Sequence, residues 1–278
     1  MRKMAYSPKS RVPVVNGLFY PDDKELLCAQ IQSWGLIEGS QGRAKALIAP
    51  HGAWSLTGRI AGEAFSFAAG RRDAPDEVRR VLLLGPIHRG SFRDLYITES
   101  DYFETPLGRI PTDRELCSEI ASTSMFFEVN DIPHLIEHSI EVLLPLVKYF
   151  FPTSYVVPIL VGGSRQALVG SLARSLAMTL ENRMDETLIV ISSNMSNNTD
   201  AGVSASQKDR LLCFLDAKNG RSIEDDFRKK EISACGCPIM ASVLESGLLD
   251  GTVLIKGAAS TGIGEKGEII HYAALSFR

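Results

Sequence analysis

The run Ala46-Leu47-Ile48-Ala49-Pro50-His51-Gly52-Ala53-Trp54-Ser55-Leu56-Thr57-Gly58 decides how the chain is read. Four apolar residues follow one another without alternation, the pattern of a strand buried on both faces in a parallel sheet. Pro50 has no N–H to give a sheet ladder, so the strand stops there. His51 then falls just past the carboxyl end of a central strand, where open α/β sheets hold their ligands. Read alone, it is equally a histidine that caps a loop. The run Val81-Leu82-Leu83-Leu84-Gly85-Pro86-Ile87-His88 repeats the design of apolar strand, proline and histidine. Between the two, Ile60, Ala64, Phe67 and Ala68 recur at helical spacing within residues 57–71. Strand, helix and strand in that order predict a right-handed crossover between parallel strands. Parallel strands end on the same edge, so His51 and His88 are expected on one rim, as metal ligands or catalytic partners.

At 278 residues, 45% of them hydrophobic and 23% charged, the chain has the makings of a substantial buried core. No linker or repeat divides it, and one domain over 1–278 is expected. The formal net charge of -3 and the lack of a basic stripe argue against a nucleic-acid partner. The basic start, Met1 to Pro8, leads into no apolar core, so it is not a signal peptide, and no apolar run is long enough to span a bilayer. Five cysteines, an odd number set mostly in helical patterns, fit a reducing cytoplasm better than a disulfide scaffold.

Taken in order, residues 1–21 read as irregular chain and 22–34 as a helix. Residues 94–98 form a short strand, and Thr105-Pro106-Leu107-Gly108 has turn chemistry. Thr112-Asp113-Arg114-Glu115 matches a capping box that starts a helix at Thr112, running to about Thr123. A strand over 126–129 precedes a helix over 137–150, kinked at Pro145. A buried strand over 155–161 leads to the stripe Leu168, Leu172, Leu176 and Leu180, and a third apolar strand covers 187–191. Helices at 203–217, 222–230 and 238–248 follow. Two closing strands, 252–259 and 269–277, are joined by a glycine-rich turn.

Four further stretches bear chemistry. Cys235-Gly236-Cys237-Pro238 precedes a helix whose first turn suits Pro238, and a thiol near a helix amino terminus is more readily a thiolate. The other reading is a pair of small buried residues at a cap. His134-Leu135-Ile136-Glu137-His138 fits the H-x-x-E-H pattern of zinc hydrolases, in which two histidines one turn apart hold zinc and the glutamate is general base. That reading needs helix through His134, whereas the apolar phase starts a helix nearer Glu137. The simpler role puts His138 and Glu137 on the rim as acid/base groups, with His134 exposed. Ser192, Ser193, Asn194 and Asn197 follow the third apolar strand and offer hydroxyls and amides to a polar substrate, or else serve their own turn. Arg89 stands ready to clamp an anion or is a plain surface arginine.

Together these stretches resemble the Memo family, including proteins named AmmeMemoRadiSam system protein B. The resemblance is carried by Ala49-Pro50-His51-Gly52, Leu84-Gly85-Pro86-Ile87-His88, Thr105-Pro106-Leu107-Gly108 and Glu137-His138-Ser139-Ile140-Glu141. Val157-Pro158-Ile159, Ser192-Ser193 and Cys235-Gly236 complete it in family order. It implies an α/β fold: one αβα sandwich domain around a central, largely parallel or mixed sheet, similar to class III extradiol dioxygenases. It further implies a rim metal on His51, His88 and Cys235, with copper, iron or zinc as the ion and His138 in the EHS motif. A sulfur donor in place of a carboxylate softens such a site toward copper or zinc. The implied activity is a metal-dependent, dioxygenase-like oxidation of a small molecule. Where the family has an aspartate and a histidine after Ser192-Ser193, this chain has Asn194 and Asn197, which do not exchange protons near neutrality. A non-enzymatic protein that binds a small ligand or a peptide in the same pocket is the alternative.

Overall fold

The computed structural model describes residues 7–35, 44–70, 78–249, 251, 253–257, 261–264 and 267–277. Its strands are β1 (Ser10–Arg11), β2 (Ala46–Ala49), β3 (Arg80–Pro86), β4 (Leu95–Ile97), β5 (Tyr102–Thr105), β6 (Gly108–Pro111) and β7 (Phe127–Val129). The later ones are β8 (Tyr155–Val161), β9 (Thr187–Ser192), β10 (Ser196–Asn198), β11 (Val253–Gly257), β12 (Thr261–Ile263), β13 (Ile269–His271) and β14 (Ala274–Phe277). The helices are α1 (Lys24–Ser33), α2 (Trp54–Ala69), α3 (Arg114–Ser122), α4 (Ile132–Ile136), α5 (Leu144–Phe150), α6 (Gln166–Leu180), α7 (Ala201–Asp216), α8 (Gly220–Arg228) and α9 (Cys237–Glu245).

Eight strands make the central sheet in the order β11-β14-β2-β9-β3-β8-β4-β7. Its middle four, β2, β9, β3 and β8, are mutually parallel, and β14 and β4 run antiparallel on either side. The unbroken apolar runs explain this placement. Along β2 and β3, Ala46, Ile48, Leu82 and Leu84 enter one core, while Leu47, Ala49, Val81 and Leu83 enter the other. Each strand therefore buries both of its faces, as parallel strands require. Helices α3, α6, α7, α8 and α9 supply the first core, and α1, α2 and α5 the second. The result is the expected αβα sandwich. The β2–α2–β3 unit is present, with β9 inserted between its two strands.

Local chemistry shifted several boundaries. The helix expected from Thr112 starts at Arg114, because Asp113, not Thr112, caps it by accepting from the Leu116 N–H at 3.0 Å. Thr112 instead bridges to Val156 on β8. The helix expected over 137–150 does not start at Glu137, whose backbone is extended (φ -96°, ψ 137°). A 3-10 turn at Glu141–Leu143 comes first, and α5 follows with Pro145 in its opening turn, so the proline begins a helix rather than kinking one. Residues 269–277 are two strands, because the chain leaves a small sheet (β10-β13-β12) at His271 and joins the central one at Ala274. The 252–259 strand is described only over β11, its remaining residues lying outside the described set. The turn at 105–108 closes a β5–β6 hairpin against which β1 pairs, so Ser10–Arg11 is not irregular chain.

Candidate metal centre

The carboxyl ends of the four parallel strands form one rim, and the candidate residues hang from it. His51 lies two residues beyond β2 and His88 two beyond β3. Ser192 ends β9, and Cys235 precedes α9. His138 comes from the loop after α4, which lies directly on β3. A Cβ on Gly85 would fall 2.5 Å from Ser139 Oγ and from Ile140 Cγ2, so only glycine admits that approach. Ser139 fixes the loop by donating to the Pro86 carbonyl at 2.8 Å.

Three imidazoles converge. Their ring centroids are 5.0 Å apart for His51 and His88, 5.0 Å for His88 and His138, and 5.6 Å for His51 and His138. One nitrogen from each falls within 4.8 Å of the others, close enough to share a metal ion. Cys235 Sγ lies 3.7 Å from His51 Nε2 and 3.8 Å from Ser193 Oγ.

The surrounding hydrogen bonds fix how these rings point. The Ser192 hydroxyl donates its single proton to the Ser139 carbonyl at 2.6 Å. Its oxygen therefore accepts from His51 Nδ1–H, 2.6 Å away, and leaves Nε2 facing the cluster with its lone pair. Glu137 does the equivalent for His88. Its carboxylate, fully buried, accepts from His88 Nδ1 at 3.0 Å and from the His88 backbone N–H at 2.5 Å. It also accepts the N–H groups of His138 and Ser139, both at 2.9 Å. Burial opposes its ionisation, but the His138 and His88 side chains beside it outweigh burial and hold the carboxyl far below its usual range. These contacts favour the carboxylate form of Glu137.

The thiol has similar supports. The Cys235 N–H donates to Asn194 Oδ1 at 2.9 Å, and the Gly236 N–H donates to Ser193 Oγ at 2.9 Å. Ser193 gives its own proton to the Asn194 carbonyl. A Cβ on Gly236 would sit 2.5 Å from Ser193 Cβ, so this position too is closed to larger residues. Burial alone would raise the Cys235 pKa, yet His51 and His88 draw it well below the ordinary thiol value. Conversely, burial opposes protonation of His88, but Cys235 and Glu137 raise its pKa to about 10. The two shifts favour charge on both partners of the pair, and a metal bound at His88 would have to displace the proton from the inward ring nitrogen.

His138 Nδ1 is buried, 3.0 Å from Glu137 Oε1. One nitrogen each from His51, His88 and His138 could together hold a metal ion, and imidazole donors suit a transition metal. The residues present fit such an ion.

Other candidates lie apart from this cluster. Arg89 is exposed next to His88. Asn197 is exposed on β10, its N–H bonded to Ser233 Oγ. His134 is not exposed, as expected of it, but buried at 1% accessibility, with Nε2 on the Tyr96 carbonyl at 3.2 Å and its ring against Phe103. Helix α4 ends at Ile136, so His134 and His138 do not share a helix face, and the H-x-x-E-H reading has no geometry to stand on. Phe19, whose ring centroid is 5.1 Å from that of His138, comes from a segment with no periodic signal. Tyr272 was likewise hidden inside an expected strand. Its buried phenol is raised in pKa by burial and by the Cys235 charge.

A sequence profile described as Memo-like protein matches residues 11–276. MEMO1 family proteins are similar along their whole length. The one from Ignicoccus hospitalis is 30% identical, covering 96% of this chain and 98% of its own, and the one from Thermotoga neapolitana is 27% identical over 94% and 97%. Among solved structures, an uncharacterized protein from Escherichia coli K12 superposes with a TM-score of 0.52 at 13% identity, over 84% of this chain and 99% of its own, a likeness of fold alone. With the strand-end histidines in place and the profile spanning nearly all of its residues, this chain belongs to the Memo-like protein family.

Proposed function

We propose that the protein binds a transition-metal ion through His51, His88 and Cys235 and uses it in a redox reaction on a small molecule. The observation that carries this reading is two oriented imidazoles at the rim with the Cys235 sulfur 3.7 Å from His51 Nε2. A site with sulfur and imidazole donors favours copper or zinc over iron, and only a redox-active ion supplies electron transfer. Ser192 and Glu137 hold the two histidines in the tautomers that present nitrogen inward, the usual arrangement around ligating imidazoles. Asn194 and Ser193 set the backbone of Cys235 and Gly236. His138 faces the remaining side of the cluster and is the acid/base group. Glu137, being ionised and fully hydrogen-bonded, orients rings and carries no proton. The absence of a membrane-length apolar helix among the described residues and the free state of the five cysteines accord with a cytoplasmic setting.

Protein purified without chelators should carry close to one metal ion per chain by elemental analysis. His51→Ala, His88→Ala and Cys235→Ala should each lose it, while His138→Ala should keep it. Loss of the ion in His138→Ala would make the centre a three-imidazole site instead. Loss in none of them would end the proposal. A second reading is favoured by Asn194, whose carbonyl oxygen is used to hold Cys235 and whose amide shuttles no proton. On that reading the same pocket binds a small ligand or a peptide without turning it over. Stoichiometric metal without any dioxygen or electron-acceptor consumption across a panel of small reductants would favour it.

A further inference from the structure

Two hydrogen-bond donors beside the cluster have no use within it. Asn194 and Tyr272 are each only 8% exposed. The Asn194 side chain is fixed by its oxygen, because the Cys235 N–H, 2.9 Å away, bonds to Oδ1 and has nothing to gain from the amide nitrogen. Its NH2 group therefore points away from that N–H, and no acceptor among the described residues meets it. The Tyr272 hydroxyl has no hydrogen-bond partner among the described residues either. A Cβ on Gly52, the residue after His51, would fall 3.5 Å from its oxygen, and Cys235 is near enough for its charge to act on the phenol. The two donors lie on adjoining segments, since the Met195 N–H bonds to the His271 carbonyl at 2.8 Å. Neither atom is sealed off from solvent. Buried amides and phenols ordinarily find partners inside the protein. Two that do not, on adjoining segments of the rim, suit an acceptor that arrives from outside.

We propose that Asn194 Nδ2 and Tyr272 Oη together bind a carbonyl oxygen of the substrate and place that group beside Cys235 and His51. The inference rests on the reading of the histidine–cysteine cluster as the reacting centre. The ligand class follows from the donors. A carbonyl oxygen has two lone pairs, one for each of them. Both donors are neutral, and the charge that acts on Tyr272 is the negative one of Cys235. That charge repels a carboxylate, so the oxygen of an uncharged ketone, amide or ester fits better than an anion. An aspartate at position 194 would present acceptors only, so the asparagine itself creates half of the pair.

The test uses the full-length protein, isotope-labelled at asparagine nitrogen and tyrosine carbon and followed by NMR. The probe is N,N-dimethylacetamide, whose oxygen accepts hydrogen bonds and which donates none. The Asn194 side-chain amide and the Tyr272 ring are assigned by their absence from Asn194→Asp and Tyr272→Phe. Both signals should shift saturably with a single dissociation constant. Tyr272→Phe, read at Asn194, and Asn194→Asp, read at Tyr272, should each weaken the probe by about fivefold, the usual worth of one neutral hydrogen bond. Asn194→Asp keeps an oxygen for the Cys235 N–H and Tyr272→Phe keeps the ring, so a purely structural role for either residue would leave the affinity unmoved. Acetate, similar in size but charged, should bind more weakly than the amide. No saturable shift at either signal, an affinity unchanged in either variant, or acetate bound as tightly as the amide would each overturn the proposal. Metal content of the same samples, from elemental analysis, reports on the centre itself, so a failed donor pair and a failed metal site give different results.

Discussion

Ser192 shows how much of the site depends on one hydroxyl. Because its proton goes to the Ser139 carbonyl, its oxygen dictates the tautomer of His51. Ser192→Ala removes that instruction without disturbing the strand, and metal affinity should fall by about 10–100-fold, the usual cost of losing such a partner. Isothermal titration with the metal checks this, and an unchanged affinity would mean that His51 needs no orienting. His134 gives a prediction of a different kind. Burial is the largest influence on it and lowers its pKa from 6.5 to about 4. The folded state thus keeps it neutral where the unfolded chain already binds a proton. Its contribution is fully present above pH 6.5 and is lost as the pH falls toward 4, by up to about 3 kcal/mol. In His134→Gln that component should vanish, so the difference in urea-unfolding free energy between the two proteins should shrink on acidification. A difference constant from pH 7 to pH 4 would contradict the burial argument.

At the scale of elements, the segment that carries Glu137 and His138 is neither helix nor strand, and it is held by a buried ion pair. Arg11 and Glu141 are 1% and 0% exposed, and their side chains meet at 2.5 Å. Arg11 also donates to the carbonyls of His134 and Glu137, while Glu141 accepts from the N–H groups of Val14 and Val15 and from the Tyr20 hydroxyl. The amino-terminal chain is thereby strapped to the loop behind His138. Arg11→Met leaves Glu141 buried without its cation and should cost about 3–5 kcal/mol in urea unfolding. Adding Glu141→Gln should recover part of that loss, since a neutral side chain tolerates burial better than an unpaired charge. If the double variant were less stable than Arg11→Met, the pair would not be acting as a charge couple. None of this was legible in the chain as written, because Arg11 and Glu141 are 130 positions apart by numbering. The strands were legible, because three unbroken apolar runs and a fourth broken only by Pro158 have few other places to go. The hairpin at 102–111 and the split of 269–277 were not. Short strands half exposed on one face, such as β5, carry little apolar signal, and a change of sheet leaves no mark in periodicity.

Across the whole molecule, the rim is where the fold concentrates chemistry. The proline–histidine repeat after β2 and β3 revealed two of its members, and parallel pairing through β9 brings them to one edge. Cys235 was readable from its place before a helix. The anchors were less so, since a serine or asparagine at a strand end looks the same whether it serves a ligand, its own turn or a neighbouring ring. Ser192, Ser193 and Asn194 each direct hydrogen bonds to the groups around His51 and Cys235, and only coordinates reveal that. The most direct test of the central claim is X-ray absorption of the metal-loaded protein at the metal edge. The spectrum should show a sulfur scatterer near 2.3 Å together with imidazole nitrogens near 2.0 Å, and the sulfur should be lost in Cys235→Ala. A first shell of nitrogen and oxygen alone in the unsubstituted protein would contradict the claim.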